Sequence, residues 1–127
     1  MSNKKQIIKT INDRTYIINA FEGREGWSYK VRLSKYVFPF ISFWYNGNLG
    51  DADILEQLST LLSGDNAKEV EKLIIELVSK VVVDGEVINF DKEFCQNYDA
   101  LLLLAIEVIK LNYLDSFQRL VTNLQSV

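Results

Sequence analysis

DGEVINFDKEFCQNYDALLLLAIEVIKLNYLDSF, residues 84–117, is the stretch whose reading decides the fold. It opens with Asp84-Gly85, a pair suited to the positive φ angles of a two-residue hairpin turn. A β-branched run, Val81 to Val83, precedes the turn, and Glu86-Val87-Ile88 follows it. That spacing predicts a short hairpin. Residues 99–112 come next and are apolar on nearly every side: Leu101, Leu102, Leu103, Leu104, Ile106, Val108, Ile109 and Leu111. A helix of that kind sits at the centre of a core or is covered by a partner. Glu107 and Lys110 mark its polar edge.

Upstream, the cleanest amphipathic pattern is Val70, Leu73, Ile74, Leu77, Val78 and Val81, with Glu69, Lys72, Glu76 and Lys80 on the outer side. Asn66 and Glu69 have the spacing of a capping box, as do Asp53 and Glu56 one helix earlier. Ile54, Leu55, Leu58, Leu61 and Leu62 define that earlier helix, and Gly64 stands where a C-terminal cap glycine belongs. Asn46-Gly47-Asn48-Leu49-Gly50 is a turn cluster. At the other end, Leu114, Phe117, Leu120, Val121 and Leu124 predict a last helix, with Asp115 as its cap.

The first fifth of the chain has a different period. Gln6 to Ile11 and Thr15 to Phe21 are rich in Ile, Thr and Tyr and flank Asn12-Asp13-Arg14. This predicts a hairpin, which could also pair with the Asp-Gly hairpin. Lys4, Lys5 and Lys9 would blunt an exposed edge. Gly23 and Gly26 interrupt the pattern before GWSYKVRLSKYVFPF, residues 26–40. Alternation of Trp27, Tyr29, Val31 and Leu33 is compatible with a strand. Length favours a helix, with Trp27, Val31, Ser34, Phe38 and Ile41 on one face and Tyr29, Leu33, Tyr36 and Phe40 on another. Pro39 would end it near Phe38. The expected fold class is α+β, mainly α: a bundle of four to five helices with a small antiparallel β element made of the N-terminal and Asp-Gly hairpins.

Composition narrows the function. The chain has 127 residues, 48% of them hydrophobic and 24% charged, which is ordinary globular composition and reads as one domain, residues 1–127. No run is long enough for a membrane span, and MSNKKQIIKT lacks the apolar core of a signal peptide. The lone Cys95 cannot form an intramolecular disulfide, which fits a reducing compartment, and it reads as a buried structural thiol. The expected location is therefore cytoplasmic. With no histidine, the commonest general base and metal ligand is missing. Cys-His nucleophiles and Cys/His zinc sites are thereby excluded within one chain. The acid pairs Asp51/Asp53 and Asp84/Glu86 fall where caps and turns need them and do not follow a calcium-loop order. We expect no enzyme activity, cofactor or metal.

Residues 1–35 carry eight basic side chains against three acidic ones, while the remainder carries six against fourteen. Such a split steers a partner, marks a self-complementary assembly (a homo-oligomer), or merely reflects solvated faces. No nucleic-acid reader motif accompanies it. Tyr36, Phe38, Phe40, Phe43, Trp44 and Tyr45 crowd six aromatics into ten residues around Pro39. They either close the core, with two or three half exposed, or form an adhesive patch for a protein partner.

The order of residue types resembles the tail assembly chaperones of tailed bacteriophages. The resemblance rests on VVVDGEVINFDKEF, on Tyr98 leading into the apolar helix, on AIEVIKLNYLDSF with its Glu-Val-Ile-Lys-x-Asn-aromatic order, and on GWSYKVRLSKYVFPF. It implies a helical, non-enzymatic protein of the infected host's cytoplasm. Such a protein would keep the coiled-coil-prone tape measure protein soluble and help recruit tail-tube subunits. The alternative is a structural adaptor subunit of the virion tail or baseplate. Either role implies protein partners, without nucleic acid or membrane.

Overall fold

The computed structural model describes residues 6–36, 51–115, 119 and 122–124. Strands β1 (Gln6–Ile11) and β2 (Arg14–Asn19) form the N-terminal hairpin. Asn12 and Asp13 take positive φ angles of 51° and 67°, the type I′ geometry whose twist matches that of the strands it joins. Strands β3 (Val82–Val83) and β4 (Glu86–Val87) form the second hairpin, turning at Asp84 and Gly85 with φ of 55° and 80°. The two hairpins join into one antiparallel sheet of order β1-β2-β3-β4. Tyr16 pairs with Val83 and Ile17 with Val82, so Tyr16, Ile18 and Val83 point into the core. The fold is α+β and mainly helical, with the β element built as its turn chemistry predicts.

Helix α1 (Gly23–Leu33) starts earlier and ends sooner than its sequence suggests. Gly23 and Gly26 do not break it but form its first turn. A Cβ on Gly26 would come to 3.3 Å from the Cβ of Phe21, so the small residue lets the helix start fold close over the preceding link. The helix ends well before Pro39. Ser34 closes it by donating its hydroxyl to the Val31 carbonyl at 2.6 Å, and Tyr36 then turns into the core. Of the two expected faces, Leu33 and Tyr36 are buried and Tyr29 is half-buried, while Trp27 and Val31 face solvent.

Helix α2 (Asp51–Leu62) begins two residues ahead of Asp53, so Asp53 lies inside its first turn and is not the N-cap. At its end the Gly64 N–H donates to the Leu61 carbonyl at 3.2 Å, without the positive φ of a left-handed cap. Helix α3 (Ala67–Val78) has Asn66 at its N-cap position, but no side-chain cap bond forms. Glu69 accepts the Tyr36 hydroxyl and is therefore not reaching back along its own helix. The stripe Val70, Leu73, Ile74, Leu77 and Val78 is buried as its spacing requires.

After β4 comes one helical turn, α4 (Phe90–Glu93), capped by the Asn89 side chain accepting from the Lys92 N–H at 3.2 Å. Helix α5 (Tyr98–Ile109) follows. Ala100, Leu104, Ala105, Ile106, Val108 and Ile109 are buried, and α5 packs against α2, α3 and β1. It is the centre of the core. The chain does not restart at Asp115. It passes through a π turn, Lys110–Leu114, and Asp115 is still helical with φ −64° and ψ −39°, so Asp115 continues the helix where a cap was expected.

Candidate partner-binding surface

Part of the charge split is resolved inside the molecule. Arg14 on β2 grips Glu93 of α4 with a fork: Nε donates to Oε2 at 3.0 Å and Nη2 to Oε1 at 2.7 Å. The Tyr16 hydroxyl adds a third donor to Oε2 at 2.6 Å, and Arg14 Nη1 also reaches Asp84 at 2.9 Å. The Glu93 side chain is only 8% exposed. Hydrogen bonds from Arg14, helped by Tyr16, hold its carboxyl below the usual carboxylate range despite burial. Burial first, and the Glu93 contact second, push the Tyr16 phenol well above its ordinary value. Arg32 of α1 clasps Glu76 of α3 at 2.8 and 3.2 Å. Glu25 of α1 pairs with Lys80 beyond the far end of α3, so the two helices run antiparallel. Arg14 and Arg32 of the first third thus pair with acids of the remainder within one chain, while the Glu25–Lys80 pair runs the other way.

The Glu-Val-Ile-Lys-x-Asn-aromatic order of residues 107–113 has the same internal use. Glu107 is buried and lies 3.8 Å from both Lys9 and Lys110. Asn112 accepts the Phe21 N–H at 2.8 Å and donates to the Val108 carbonyl at 2.9 Å. The Tyr113 hydroxyl donates to the Gly26 carbonyl at 2.9 Å. These side chains tie the start of α1 to the end of α5. They are assembly joints of the fold itself.

Of the six aromatics singled out in the sequence, Tyr36 is 6% exposed and belongs to the core. Phe38, Phe40, Phe43, Trp44 and Tyr45 lie outside the described residues. Cys95 was expected in the core but is exposed; the neighbouring Phe94 takes the buried position, packing edge-on to Phe90 with ring centroids 5.0 Å apart. Among the described residues no cluster of three acid or thiol side chains could hold a metal ion. No described helix is long and apolar enough to cross a membrane.

What the structure adds is a groove of about 460 Å³. One wall is the α3 face made by Ala67, Glu71, Ile74 and Ile75, together with Leu62 at the end of α2. The other is Tyr98, Leu101 and Leu102 of α5, with Phe90 of α4. Spacings of i, i+4, i+7 and i+8 on α3 and i, i+3 and i+4 on α5 make both walls helical faces. Lys68 and Glu71 are the charged members of the lining. Tyr98 is 67% exposed, an apolar ring left in water at the rim. Sequence reasoning missed this groove, although its signal was present: α5 has more apolar faces than one core can cover.

A small helical protein with an open apolar groove, no described metal cluster and the residues 107–113 joint is the context in which similarity becomes informative. The family described as phage tail assembly chaperone protein, TAC, matches residues 12–125. The chain belongs to that family. The match takes in nearly every element above, from the first hairpin turn to beyond the π turn. No curated protein and no solved structure matches the chain. As a phage tail assembly chaperone, it puts its Asp-Gly hairpin, α5 and the residues 107–113 order to structural use, and leaves the α3–α5 groove open.

Proposed function

We propose that this chaperone holds an apolar helical stripe of the phage tape measure protein in the groove between α3 and α5, keeping that long chain soluble until tail-tube subunits assemble on it. The observation that carries the reading is the groove itself: two helical walls, mostly apolar, and an exposed Tyr98. Helix-in-groove recognition needs such a slot, filled by apolar anchors one helical turn apart. The span from Ala67 to Ile75 is about 12 Å along a helix axis, room for about two turns of a client. The family membership supplies the setting, tail assembly, and the apolar lining supplies the chemistry. Phe38, Phe40, Phe43, Trp44 and Tyr45 are proposed to extend the contact, since rings of this kind are favoured interface anchors. The role is non-catalytic and is carried out in the host bacterial cytoplasm.

Co-expression tests it. The tape measure protein should be soluble with the wild-type chain and precipitate with Leu102→Asp, which places a charge in the groove wall. Equal solubility with both would sink the proposal. Mass spectrometry of purified virions separates the chaperone from a tail or baseplate adaptor: the chaperone is absent from the finished particle, the adaptor present in it.

A further inference from the structure

Among the described residues, the outward face of the sheet carries an apolar row that neither the core nor the groove uses. Ile8 pairs with Ile17, Ile17 with Val82, and Val82 with Val87. Four β-branched side chains therefore cross all four strands on the face opposite Tyr16 and Ile18. The ends of the row, Ile8 and Val87, are 64% and 62% exposed. Polar pairs flank it within the first hairpin: the Gln6 amide donates to Asn19 at 2.8 Å, and the Thr10 and Thr15 hydroxyls meet at 3.2 Å.

The two sheet edges differ. β4 is two residues long, which is a poor template for pairing, whereas β1 offers six. In a two-residue hairpin the pair flanking the turn, Ile11 and Arg14, is a hydrogen-bonded one, and the pairs alternate along the ladder. Lys9 and Ile7 therefore spend their N–H and C=O groups on β2. Gln6, Ile8 and Thr10 direct theirs outward from the edge. Lysine is a common guard of such edges, but Lys9 lies on the core side, 3.8 Å from the buried Glu107. Its charge is compensated internally.

We propose that β1 pairs antiparallel with β1 of a second copy of this chain, about a two-fold axis through Ile8, so that two sheets become one. In this register each Ile8 faces its counterpart, Gln6 faces Thr10, and Ile7 faces Lys9. The apolar row then runs unbroken across both sheets. Shifting the axis to Lys9 would set two ammonium-bearing residues directly opposite each other at a Cα separation of about 4.5 Å, which disfavours that register. A ladder of five residues per strand spans about 17 Å. That is a small contact beside the roughly 1,200–2,000 Å² of a stable specific interface, so the dimer forms in a concentration-dependent equilibrium. The inference is independent of what occupies the α3–α5 groove.

Sedimentation velocity on the full chain over a concentration series reads the equilibrium directly. Wild type should show a reversible dimer, and Ile8→Lys should raise its dissociation constant at least about tenfold (about 1.4 kcal/mol) with the monomer's circular dichroism unchanged. Cross-linking checks the register without relying on that variant. In a Cys95→Ser background, Ile8→Cys should form a disulfide dimer under mild oxidation, because opposed hydrogen-bonded residues have Cα atoms about 5.5 Å apart, within disulfide reach. Ile17→Cys should not, since its counterpart lies three strand spacings away, about 14 Å. A chain that stays monomeric at every concentration, a dimer indifferent to Ile8→Lys, or equal cross-linking through Ile17→Cys would each overturn the proposal. The first of these outcomes is the one expected if the edge serves a different protein.

Discussion

Two substitutions six residues apart on α5 should have opposite consequences. Leu104 is 0% exposed at the centre of the core, so Leu104→Ala removes its transfer free energy and leaves a cavity, a loss of about 3–5 kcal/mol. For 127 residues, the unfolding entropy per residue implies roughly 4 °C in Tm per kcal/mol. Leu104→Ala is thus expected to melt about 11–19 °C lower, a large share of a total stability of roughly 6–19 kcal/mol for a chain of this size. Tyr98→Ala on the rim should change stability by no more than about 0.5 kcal/mol. Its cost should appear in client affinity, about 1–3 kcal/mol or roughly fivefold to 150-fold. Urea and thermal unfolding measure the first quantity. Titration of a soluble tape measure fragment, followed by fluorescence or calorimetry, measures the second. The reasoning fails if Leu104→Ala melts within a few degrees of wild type, because α5 would then not be the central helix. It fails equally if Tyr98→Ala destabilises the fold while binding is untouched.

Acid titration should expose the Glu93 joint. The folded carboxyls of Glu93 and Glu76 are held low by Arg14 and Arg32 respectively. Their contribution is complete above the unfolded glutamate value of about 4.3 and is lost as pH falls through the lower folded value. Thermal midpoints should therefore be nearly flat from about pH 5 to 8, helped by the absence of histidine, and fall below about pH 4; Glu93→Gln should flatten that acid limb. Asn112→Leu orphans the half-buried Phe21 N–H and is expected to cost about 1–3 kcal/mol in urea unfolding; a neutral result would mean water replaces the side chain. The double variant Phe43→Ala with Trp44→Ala should weaken client binding and leave the melting temperature nearly unchanged, whereas a large drop in melting would assign those rings to the core.

Much of the fold was legible because its signals are local. Asn12-Asp13 and Asp84-Gly85 favour positive φ wherever they occur, and both turns appear where these residues stand. The stripe from Val70 to Val78 is a one-dimensional pattern that only a helix converts into a face, and all its members are buried. Boundaries were less legible. Gly26 looks like a breaker until Phe21 is seen lying against it, and Glu69 looks like a capping partner until Tyr36 claims it. Tyr36 stands 33 residues from Glu69, so that competing contact lies outside any local window.

The sequence by itself determined the two hairpin turns, the amphipathic helices and the helix too apolar to lie at the surface, since periodicity and turn chemistry depend only on near neighbours along the chain. The joining of the hairpins into one sheet and the helix over Gly23–Leu33 were decided by the fold. Tertiary structure alone decided which apolar residues were left over. Leu102 and Leu104 are the same residue type two positions apart, yet one lines an open groove and the other is fully enclosed. Likewise Ile17 and Ile18 are neighbours on β2 that face opposite sides of the sheet, and only Ile18 is buried. Burial depends on what packs from across the fold, and that information exists only once the elements have met.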